Sequence, residues 1–517
     1  MLSFIKNLLG KISDMKFLFT FFLLAGFAKA QNTNHQFYKE PYRPQIHFSP
    51  KEKWMNDPNG MVFYKGIYHL FFQYYPDSTV WGPMHWGHAT SKDLIHWQQQ
   101  PIALYPDSLG YIFSGSAVID KNNTFGFGKN GKTPFIAIFT QHDPKGEKEG
   151  RNDYQNQSIA YSLDEGKTWL KYDRNPVLKN PGIKDFRDPK VHWYPEDKKW
   201  IMALATLNRI TFYSSKDLKT WTKESEFGQQ NGAHGGIWEC PDIVPLKYNG
   251  KTIWVLVVSI NPGGPNGGSG TQYFTGTYNG KTITPFDNDT KWIDYGPDDY
   301  AGVTWSNTGD RKIFLGWMSN WQYATVVPTK IWRSAMTVPR ILGLEKIKGK
   351  YYVTSQPVNE LNDLNISNIK LQNLEVNNFD LTSKTGKLSL PVSLKFSSEK
   401  IDDFSISVSN TNNEKVVIGY DKATDNYYID RTSSGKTDFK KNFAARVVAP
   451  RISNSPNMDM ILIIDKSSVE IFADKGLTNM TAIFFPNEPY SRIVFHSQHF
   501  KIKDLQYHEL KSIWNQK

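Results

Sequence analysis

Short apolar segments separated by turn residues recur along most of the chain, and this pattern constrains the fold more than any other feature. After residue 31 the segments are β-rich, and Gly, Pro, Asn and Asp stand between them with little that looks helical. Strands of this length and spacing indicate an all-β protein. At 517 residues the chain is too long for one ordinary hydrophobic core, so two domains are expected.

Five hairpin-like units repeat in the first part of the sequence. Each has two apolar strands, and several carry a charged or Gly/Asn turn between them, as in WYPEDKKWIMALA. A second signature places an aspartate a few residues before a tryptophan in SKDLIHW, SLDEGKTW and SSKDLKTW. Strand units in a fixed order with self-similar turns are typical of a β-propeller, so five units predict five blades. The units cover residues 61–75, 117–141, 190–206, 242–260 and 303–318.

The composition changes after about residue 357. Residues 359–378 are rich in Asn and Leu and are predicted to be a linker. Residues 379–517 contain regular short strands, such as KLSLPVSLKF and DMILIIDKSSVEIFAD, that favour a β-sandwich. The predicted fold is therefore all-β: a five-bladed β-propeller over residues 31–358, which carries the chemistry, followed by a C-terminal β-sandwich.

The N-terminus reads as an export signal. From Met15 the sequence MKFLFTFFLLAGFAKA has one lysine, an apolar run and a small-x-small cleavage site before Gln31. Because the apolar run is too short to span a membrane comfortably, a membrane anchor is the weaker alternative. Residues 1–30 are predicted to be a signal peptide, with Met1 or Met15 as the start. The mature protein is expected to be secreted or periplasmic, without a membrane span.

Charge and cysteine content exclude several kinds of partner. The formal net charge is +11, but the lysines are scattered through turns and form no long basic tract, so no nucleic-acid partner is expected. Cys240 is the single cysteine, which excludes an intramolecular disulfide, and it is predicted to be a small packed residue. Since the histidines and cysteine lack metal-ligand spacing, no metal or other cofactor is expected.

Three carboxylates stand at comparable places in the repeat. Asp57 in WMNDPNG precedes the first unit, Asp188 in FRDPKV the third and Glu239 in GGIWECPDI the fourth. Because the innermost strands of a propeller run along its central channel, residues at the start of separate units can converge there. A lone Asp-Pro is better explained as a turn, but three matched carboxylates favour a functional site. Two carboxylates are what glycosidic hydrolysis needs: one attacks or activates water, and one protonates the leaving oxygen.

The chain resembles family 32 of the glycoside hydrolases, which includes levanases, exo-inulinases and invertases. The segments WMNDPNG, FSGSA, FRDPKV and WECPD occur in family order. The resemblance continues through WGPMHWGHA, GWMSNWQYA and RSAMTVPR, and more weakly through YIDR and SVEIFAD in the second domain. It therefore covers essentially the whole mature chain.

The resemblance implies a role for each site residue. Asp57 would be the nucleophile that attacks the anomeric carbon, and Glu239 would be the general acid and then the general base. Asp188, with Arg187, would hold the fructosyl hydroxyls and stabilise the oxocarbenium-like transition state. Eight further residues would line the pocket for the terminal fructose: Trp54, Asn56, Gln73, Trp81, Phe113, Ser114, Tyr300 and Trp321.

The implied activity is that of a retaining β-fructofuranosidase acting by double displacement. Its substrates would be fructans, levan or inulin, and sucrose, from which it would release terminal β-D-fructofuranosyl residues. One alternative is a fructosyltransferase, which uses the same intermediate but passes the fructosyl unit to a sugar. Another is a non-catalytic fructan-binding propeller, against which the three intact carboxylates argue.

Overall fold

Antiparallel strands make up nearly all of the regular structure in the computed structural model, which describes residues 37–129 and 131–514. In these residues the strands form seven sheets, accompanied by two short helices, Pro144–Lys148 and Thr382–Thr385, and a 3-10 helix, Asn359–Leu364. The expectation of an all-β fold is confirmed. The signal peptide predicted for residues 1–30 lies outside the described residues. Within them, no helix is long and apolar enough to cross a membrane.

Five of the sheets follow one another along the chain as the blades of the β-propeller. In each blade the first strand pairs antiparallel with the second. The strands are Lys53–Tyr64, Ile67–Tyr75, His85–Ser91 and Gln98–Leu104 in blade 1; Tyr111–Ile119, Phe135–His142, Gln155–Ser162 and Leu170–Lys171 in blade 2; Phe186–Tyr194, Lys199–Thr206, Arg209–Ser215 and Thr222–Phe227 in blade 3; Ile237–Tyr248, Lys251–Asn261, Gly270–Tyr278, Ile283–Pro285 and Lys291–Trp292 in blade 4; and Tyr300–Thr304, Ile313–Met318, Ala335–Met336, Arg340–Ile347 and Lys350–Pro357 in blade 5.

A short strand closes the ring of blades. Trp332–Arg333, which comes from the chain of blade 5, pairs in parallel with Lys53 and Trp54 of blade 1. The Lys53 N–H also donates to the Ile331 carbonyl at 2.6 Å. A segment from the last blade thus pairs with the inner strand of the first blade, so the edge of that strand is covered.

The repeated aspartate–tryptophan signature forms the same turn in three blades. It connects the third and fourth strands of blades 1, 2 and 3. In each turn the aspartate accepts backbone N–H groups. Each indole N–H donates to the carbonyl three residues earlier, at 2.9, 3.1 and 3.0 Å for Trp97, Trp169 and Trp221. The signature therefore lies in the outer part of each of these three blades.

Two six-stranded sheets form the C-terminal β-sandwich, and their inner faces enclose its apolar core. In spatial order, the first sheet contains Ile369–Glu375, Lys501–Glu509, Val392–Ser398, Met458–Asp465, Ser468–Ala473 and Thr478–Ile483. The second contains Phe379–Asp380, Arg492–His496, Phe404–Ser409, Lys415–Asp421, Asn426–Ser433 and Arg446–Pro450.

The predicted linker, residues 359–378, is more ordered than its composition suggests. It contains the 3-10 helix and also the strand Ile369–Glu375, which pairs with Lys501–Glu509 at the edge of a sandwich sheet. Ile369, Leu371 and Leu374 pack against the sandwich core. Residues 369–375 therefore belong to the sandwich and not to a linker, because they pair with one of its strands and pack on its core.

Candidate active site

One pocket lies where the inner strands of the blades approach one another. It contains all three carboxylates that the sequence singled out. The lining residues are Asn56, Asp57, Gln73, Trp81, Phe113, Ser114, Arg187, Asp188, Glu239 and Trp321. The structure therefore brings together residues from blades 1 to 4 and from the segment after the second strand of blade 5.

Each inner strand is interrupted near the pocket. Its pairing with the second strand shifts register at residues 55–58, 112–115, 187–190, 239–242 and 300–303. Neighbouring side chains of a regular strand point to opposite faces, whereas a bulge re-aims a side chain. Three neighbouring pairs consequently line the same pocket: Asn56 with Asp57, Phe113 with Ser114, and Arg187 with Asp188.

Asp57 is a half-buried carboxylate held by two side-chain donors. The Asn56 amide donates to its Oδ1 at 2.9 Å, and the Ser114 hydroxyl donates to its Oδ2 at 2.8 Å. Asn56 is fixed in turn by the Trp54 indole, which donates to Asn56 Oδ1 at 2.7 Å from behind the pocket. Burial raises the pKa of Asp57, and so does the charge of Glu239, while the two hydrogen bonds oppose that rise.

Asp188 has an unusual backbone conformation. Its φ of 64° lies in the left-handed region, and its N–H donates to Thr140 Oγ1 at 3.0 Å. Its Oδ2 accepts the backbone N–H of Cys240 at 3.0 Å. These bonds fix the carboxylate although the strand around it is irregular.

The charges around Asp188 act in opposite directions. Burial raises its pKa most strongly, the Arg187 guanidinium lowers it, and the charges of Glu239 and Asp57 raise it. Arg187 itself stays cationic, because the surrounding carboxylates raise its pKa well above the usual value although burial opposes them. The pocket thus holds three carboxyl groups against one guanidinium, and such crowding favours a proton on at least one of them.

Glu239 is held through both of its carboxylate oxygens. Arg187 donates from Nε and Nη2 to Oε1 at 3.1 and 3.0 Å. The Tyr300 hydroxyl donates to Oε2 in a very short hydrogen bond. Arg187 is anchored on its other side by Asp185, whose Oδ1 accepts from Nη1 at 2.5 Å.

The remaining predicted residues surround these groups. Trp81 is 40% exposed at the rim, and its ring centroid lies 6.0 Å from that of Phe113. Trp321 stacks on Trp54 with centroids 5.9 Å apart. The Gln73 Nε2 is buried and has no hydrogen-bond partner within the described part of the chain. An amide donor in this position is available to a bound hydroxyl.

Comparison with known proteins identifies the family. The model of the glycosyl hydrolases family 32 N-terminal domain matches residues 47–357, and that of the family 32 C-terminal domain matches residues 356–509. The chain belongs to glycosyl hydrolase family 32. It is therefore a glycosidase.

Relatives of this family 32 glycosidase match it over nearly its whole length. A levanase of Bacillus subtilis is 44% identical over 98% of this chain and 75% of its own length. An extracellular exo-inulinase of Aspergillus niger is 41% identical over 95% of this chain and 98% of its own length. The solved structure of an Aspergillus awamori exo-inulinase is 37% identical, with a TM-score of 0.83 over 92% of this chain and 100% of that one.

Cys240 is buried at the site of this glycosidase, in agreement with its prediction as a small packed residue, and its thiol lies 3.5 Å from Asp57 Oδ2 and 3.6 Å from Asp188 Oδ2. Two other residues were missed from the sequence. Asp185 anchors Arg187, and the His142 ring stacks on Phe113 with centroids 4.3 Å apart. Asp185 stands two residues before Arg187, which was predicted to bind the substrate, so proximity in sequence was the available signal. In the described ranges no group of three His, Cys, Asp or Glu is arranged to hold a metal ion.

Proposed function

We propose that this protein is a retaining β-fructofuranosidase that removes terminal fructosyl units from fructans and sucrose. The observation that carries the proposal is the convergence of Asp57, Asp188 and Glu239 on one small pocket. A pair of carboxyl groups flanking a glycosidic bond is the requirement for this hydrolysis. The names of the relatives, which include levanase, exo-inulinase and invertase, support the substrate class.

Asp57 is proposed as the nucleophile. Its ionised carboxylate attacks the anomeric carbon of the terminal fructose, a carbon–oxygen bond to the enzyme forms, and the bond to the leaving oxygen breaks. Hydrogen bonds from Asn56 and Ser114 to different oxygens of Asp57 fix the orientation of the carboxylate. A fixed reacting group lowers the entropic cost of reaching the transition state.

Glu239 is proposed as the acid and base of the two steps. In the first step it gives its proton to the leaving oxygen. In the second it takes a proton from the water that attacks the anomeric carbon of the fructosyl–Asp57 intermediate, so that the bond to Asp57 breaks and fructose is released. Arg187 and the Tyr300 hydroxyl contact its carboxylate from two sides. This arrangement keeps the group in one place while its proton is exchanged.

Asp188 and Gln73 are proposed to bind the fructosyl unit. Asp188 lies beside both other carboxyls. Its negative charge stabilises the positive charge that develops on the sugar ring in the transition state. Its carboxylate accepts sugar hydroxyls, and the unpartnered Gln73 amide donates to one. Binding that strengthens as the charge develops raises the rate and not merely the affinity.

The lining of the pocket supports an exo mode of action. Trp321 lines the pocket and stacks on Trp54, which has no exposed surface, so the end of a fructan chain would meet packed protein there. The exposed ring of Trp81 at the rim is in position to contact the following unit.

The domain roles and the location follow from the same proposal. We assign the catalytic role to the propeller, residues 31–358, and a bracing role to the sandwich, residues 379–517. Export through residues 1–30 fits polymeric substrates outside the cell, and the exo-inulinase relatives are named extracellular. The enzyme is expected to work without a metal or cofactor.

The test measures free fructose released from sucrose, inulin and levan by the wild type and by the D57N and E239Q variants. D57N should lose turnover, and E239Q should slow most for leaving groups that need protonation. D120N is a matched control, because Asp120 is a buried carboxylate in blade 2 that bonds the neighbouring Thr124 and Phe125 N–H groups.

The nature of the products decides between related activities. Proton NMR should detect the β-anomer of fructose first, as a double displacement requires. Wild-type activity in D57N or E239Q, or inversion at the anomeric carbon, would contradict the proposed roles. Longer oligosaccharides at high sucrose would indicate a fructosyltransferase, and sugar binding without turnover a binding propeller.

A further inference from the structure

The segment that precedes Tyr300 is held by the sandwich domain. Residues 294–299, here called the aspartate loop, connect the last strand of blade 4 to the inner strand of blade 5. The Tyr295 N–H donates to the Asn479 carbonyl at 2.8 Å, and the Asp298 N–H donates to the Thr481 carbonyl at 3.2 Å. Both acceptors belong to the sandwich strand Thr478–Ile483, so the loop runs along an edge of the second domain.

The first anchor of the aspartate loop is Asp298. Arg431 of the sandwich donates to Asp298 Oδ2 at 2.9 Å, and the Ile483 N–H donates to the same oxygen at 2.9 Å. The Tyr323 hydroxyl donates to Oδ1 at 2.6 Å. Arg431 is itself fixed by the Phe443 carbonyl at 2.8 Å. The Asp298 carboxylate is therefore clamped between blade 5 and the sandwich.

The second anchor is Asp299, the residue before Tyr300. Arg340 of blade 5 donates from Nη1 to Asp294 and Asp299 at 2.9 Å each. On its other side Arg340 donates to Glu470 of the sandwich, from Nε at 3.2 Å and also from Nη2. The four side chains are almost completely buried. Moving one partner out of this buried cluster would leave an unpaired charge in the protein interior, which is strongly unfavourable. The cluster therefore holds the loop in one arrangement.

Packing leaves the loop little freedom. A Cβ added at Gly316 would lie 1.8 Å from Asp299 Oδ1, and one added at Gly296 would lie 2.1 Å from the Thr481 carbonyl oxygen. Both contacts are far inside van der Waals distance. The aspartate loop therefore fits its surroundings closely on both sides.

Four motifs of the sequence meet at this loop and contribute these contacts. RSAMTVPR contains Arg340, YIDR contains Arg431, SVEIFAD contains Glu470 and GWMSNWQYA contains Tyr323. None of these four side chains lines the pocket. The proposed chemistry therefore leaves them without a role, whereas their contacts with the aspartate loop supply one.

We propose that Arg431 and Glu470 are positioning residues for the reaction: they fix the aspartate loop and, through it, the Tyr300 hydroxyl on Glu239. This inference rests on the proposed role of Glu239 as acid and base. Tyr300 directly follows Asp299, so its Cα lies about 3.8 Å from that of an anchored residue. A shift of the loop is carried to the phenol, whose hydrogen bond needs the correct distance and angle. The sandwich thereby takes part in catalysis without touching the substrate.

The test compares Arg431→Lys with Tyr300→Phe. Each should lower kcat about 10- to 100-fold, the effect of weakening a hydrogen bond to a charged group. Both should change KM little, because the weakened hydrogen bond lies on the proposed acid and base and not on the substrate. The kcat of the double variant should be no more than about twofold below that of Y300F, because both changes act on one hydrogen bond.

Arg451→Lys is the matched control. Arg451 forms a buried pair with Asp474 inside the sandwich, at 3.0 Å to each carboxylate oxygen, and does not contact the aspartate loop. R451K should lower the melting temperature and keep the wild-type kcat. Tyr323→Phe removes a donor to Asp298 and serves as the second variant if R431K fails to fold.

The outcomes separate this inference from the proposed function. If R431K and Y323F melt earlier but keep the wild-type kcat, the contacts are purely structural and the inference is wrong. If E239Q also loses turnover in that case, the proposed function still stands. If the wild type releases no fructose from any substrate, the proposed function itself fails.

Discussion

The substitution Ser114→Ala isolates the hydrogen bond that orients the proposed nucleophile. The Ser114 hydroxyl donates to Asp57 Oδ2 at 2.8 Å, and the Cys240 thiol is the other side chain near that oxygen, at 3.5 Å. Asn56 continues to hold Oδ1 after the substitution. S114A should therefore leave the carboxylate in the pocket but free one of its two oxygens.

The size of the effect follows from the charge of the acceptor. A hydrogen bond to a charged group contributes about 1.5–3 kcal/mol, which corresponds to roughly a 10- to 150-fold loss in kcat/KM. The lower part of this range is expected, because Asn56 still restrains Asp57. The Ser114 hydrogen bond also lowers the pKa of Asp57, against burial and the Glu239 charge. Its loss raises that pKa further, so the acid limb of the profile moves to higher pH.

The assay is kcat/KM for sucrose hydrolysis as a function of pH, with melting temperatures measured alongside. Ser116→Ala is the control, because Ser116 lies on the same strand, is buried and donates to the Pro189 carbonyl at 2.9 Å. S116A should affect stability and leave the acid limb in place. An acid limb that does not move in S114A, or moves equally in both variants, would refute the reasoning.

Three further predictions concern other groups in the pocket. Burial above all raises the pKa of Asp188, to about 7. The ionised form of Asp188 therefore lowers the free energy of unfolding at neutral pH, and this destabilisation decreases as the pH falls below that value. Asp188→Asn should abolish turnover yet raise the unfolding free energy by about 0.5–2 kcal/mol at neutral pH, a gain that melting curves should show disappearing in acid. Burial and the nearby carboxylates raise the pKa of the Cys240 thiol, so a thiol reagent should titrate it only after unfolding. Trp81→Ala should raise KM for inulin about 2- to 10-fold with kcat unchanged, the value of one aromatic contact.

The three carboxylates could be predicted because each has a fixed place in a repeating unit, whereas the other pocket residues were expected from the family resemblance. Asp57, Asp188 and Glu239 precede the same kind of hairpin, so the propeller repeat alone places them at one end of the channel. Tyr300 has the same relation to the last blade, and its hydroxyl reaches Glu239. In a propeller, the order of the repeats along the chain gives the position of each blade around the central axis. A single sequence is therefore enough to predict that these carboxylates face one channel.

Contacts between the domains could not be predicted in the same way. Arg340 and Glu470 are separated by 130 residues in the chain, and Arg431 and Asp298 by 133. No repeat relates the sandwich to the propeller, so the sequence contains no register from which such pairs follow. The strand Ile369–Glu375 was missed for a related reason: its partner, Lys501–Glu509, lies at the other end of the sandwich. Local composition shows a strand's pattern but not the strand that pairs with it.

The bulges explain why the inner strands begin earlier than the sequence indicates. Asp188, Cys240 and Ala301 have φ values of 64°, 46° and 54°, all left-handed and all at register shifts of inner strands. Such a conformation costs a residue with a side chain about 1–2 kcal/mol and breaks the alternation by which strands are recognised. At Asp188 the cost is offset by hydrogen bonds to the site itself, since its N–H is held by Thr140 and its carboxylate holds the N–H of Cys240. The carboxylate that the chemistry requires therefore also stabilises the backbone that presents it. Asp188→Ala should consequently perturb the register of blade 3, whereas Asp188→Asn, which keeps an acceptor, should not.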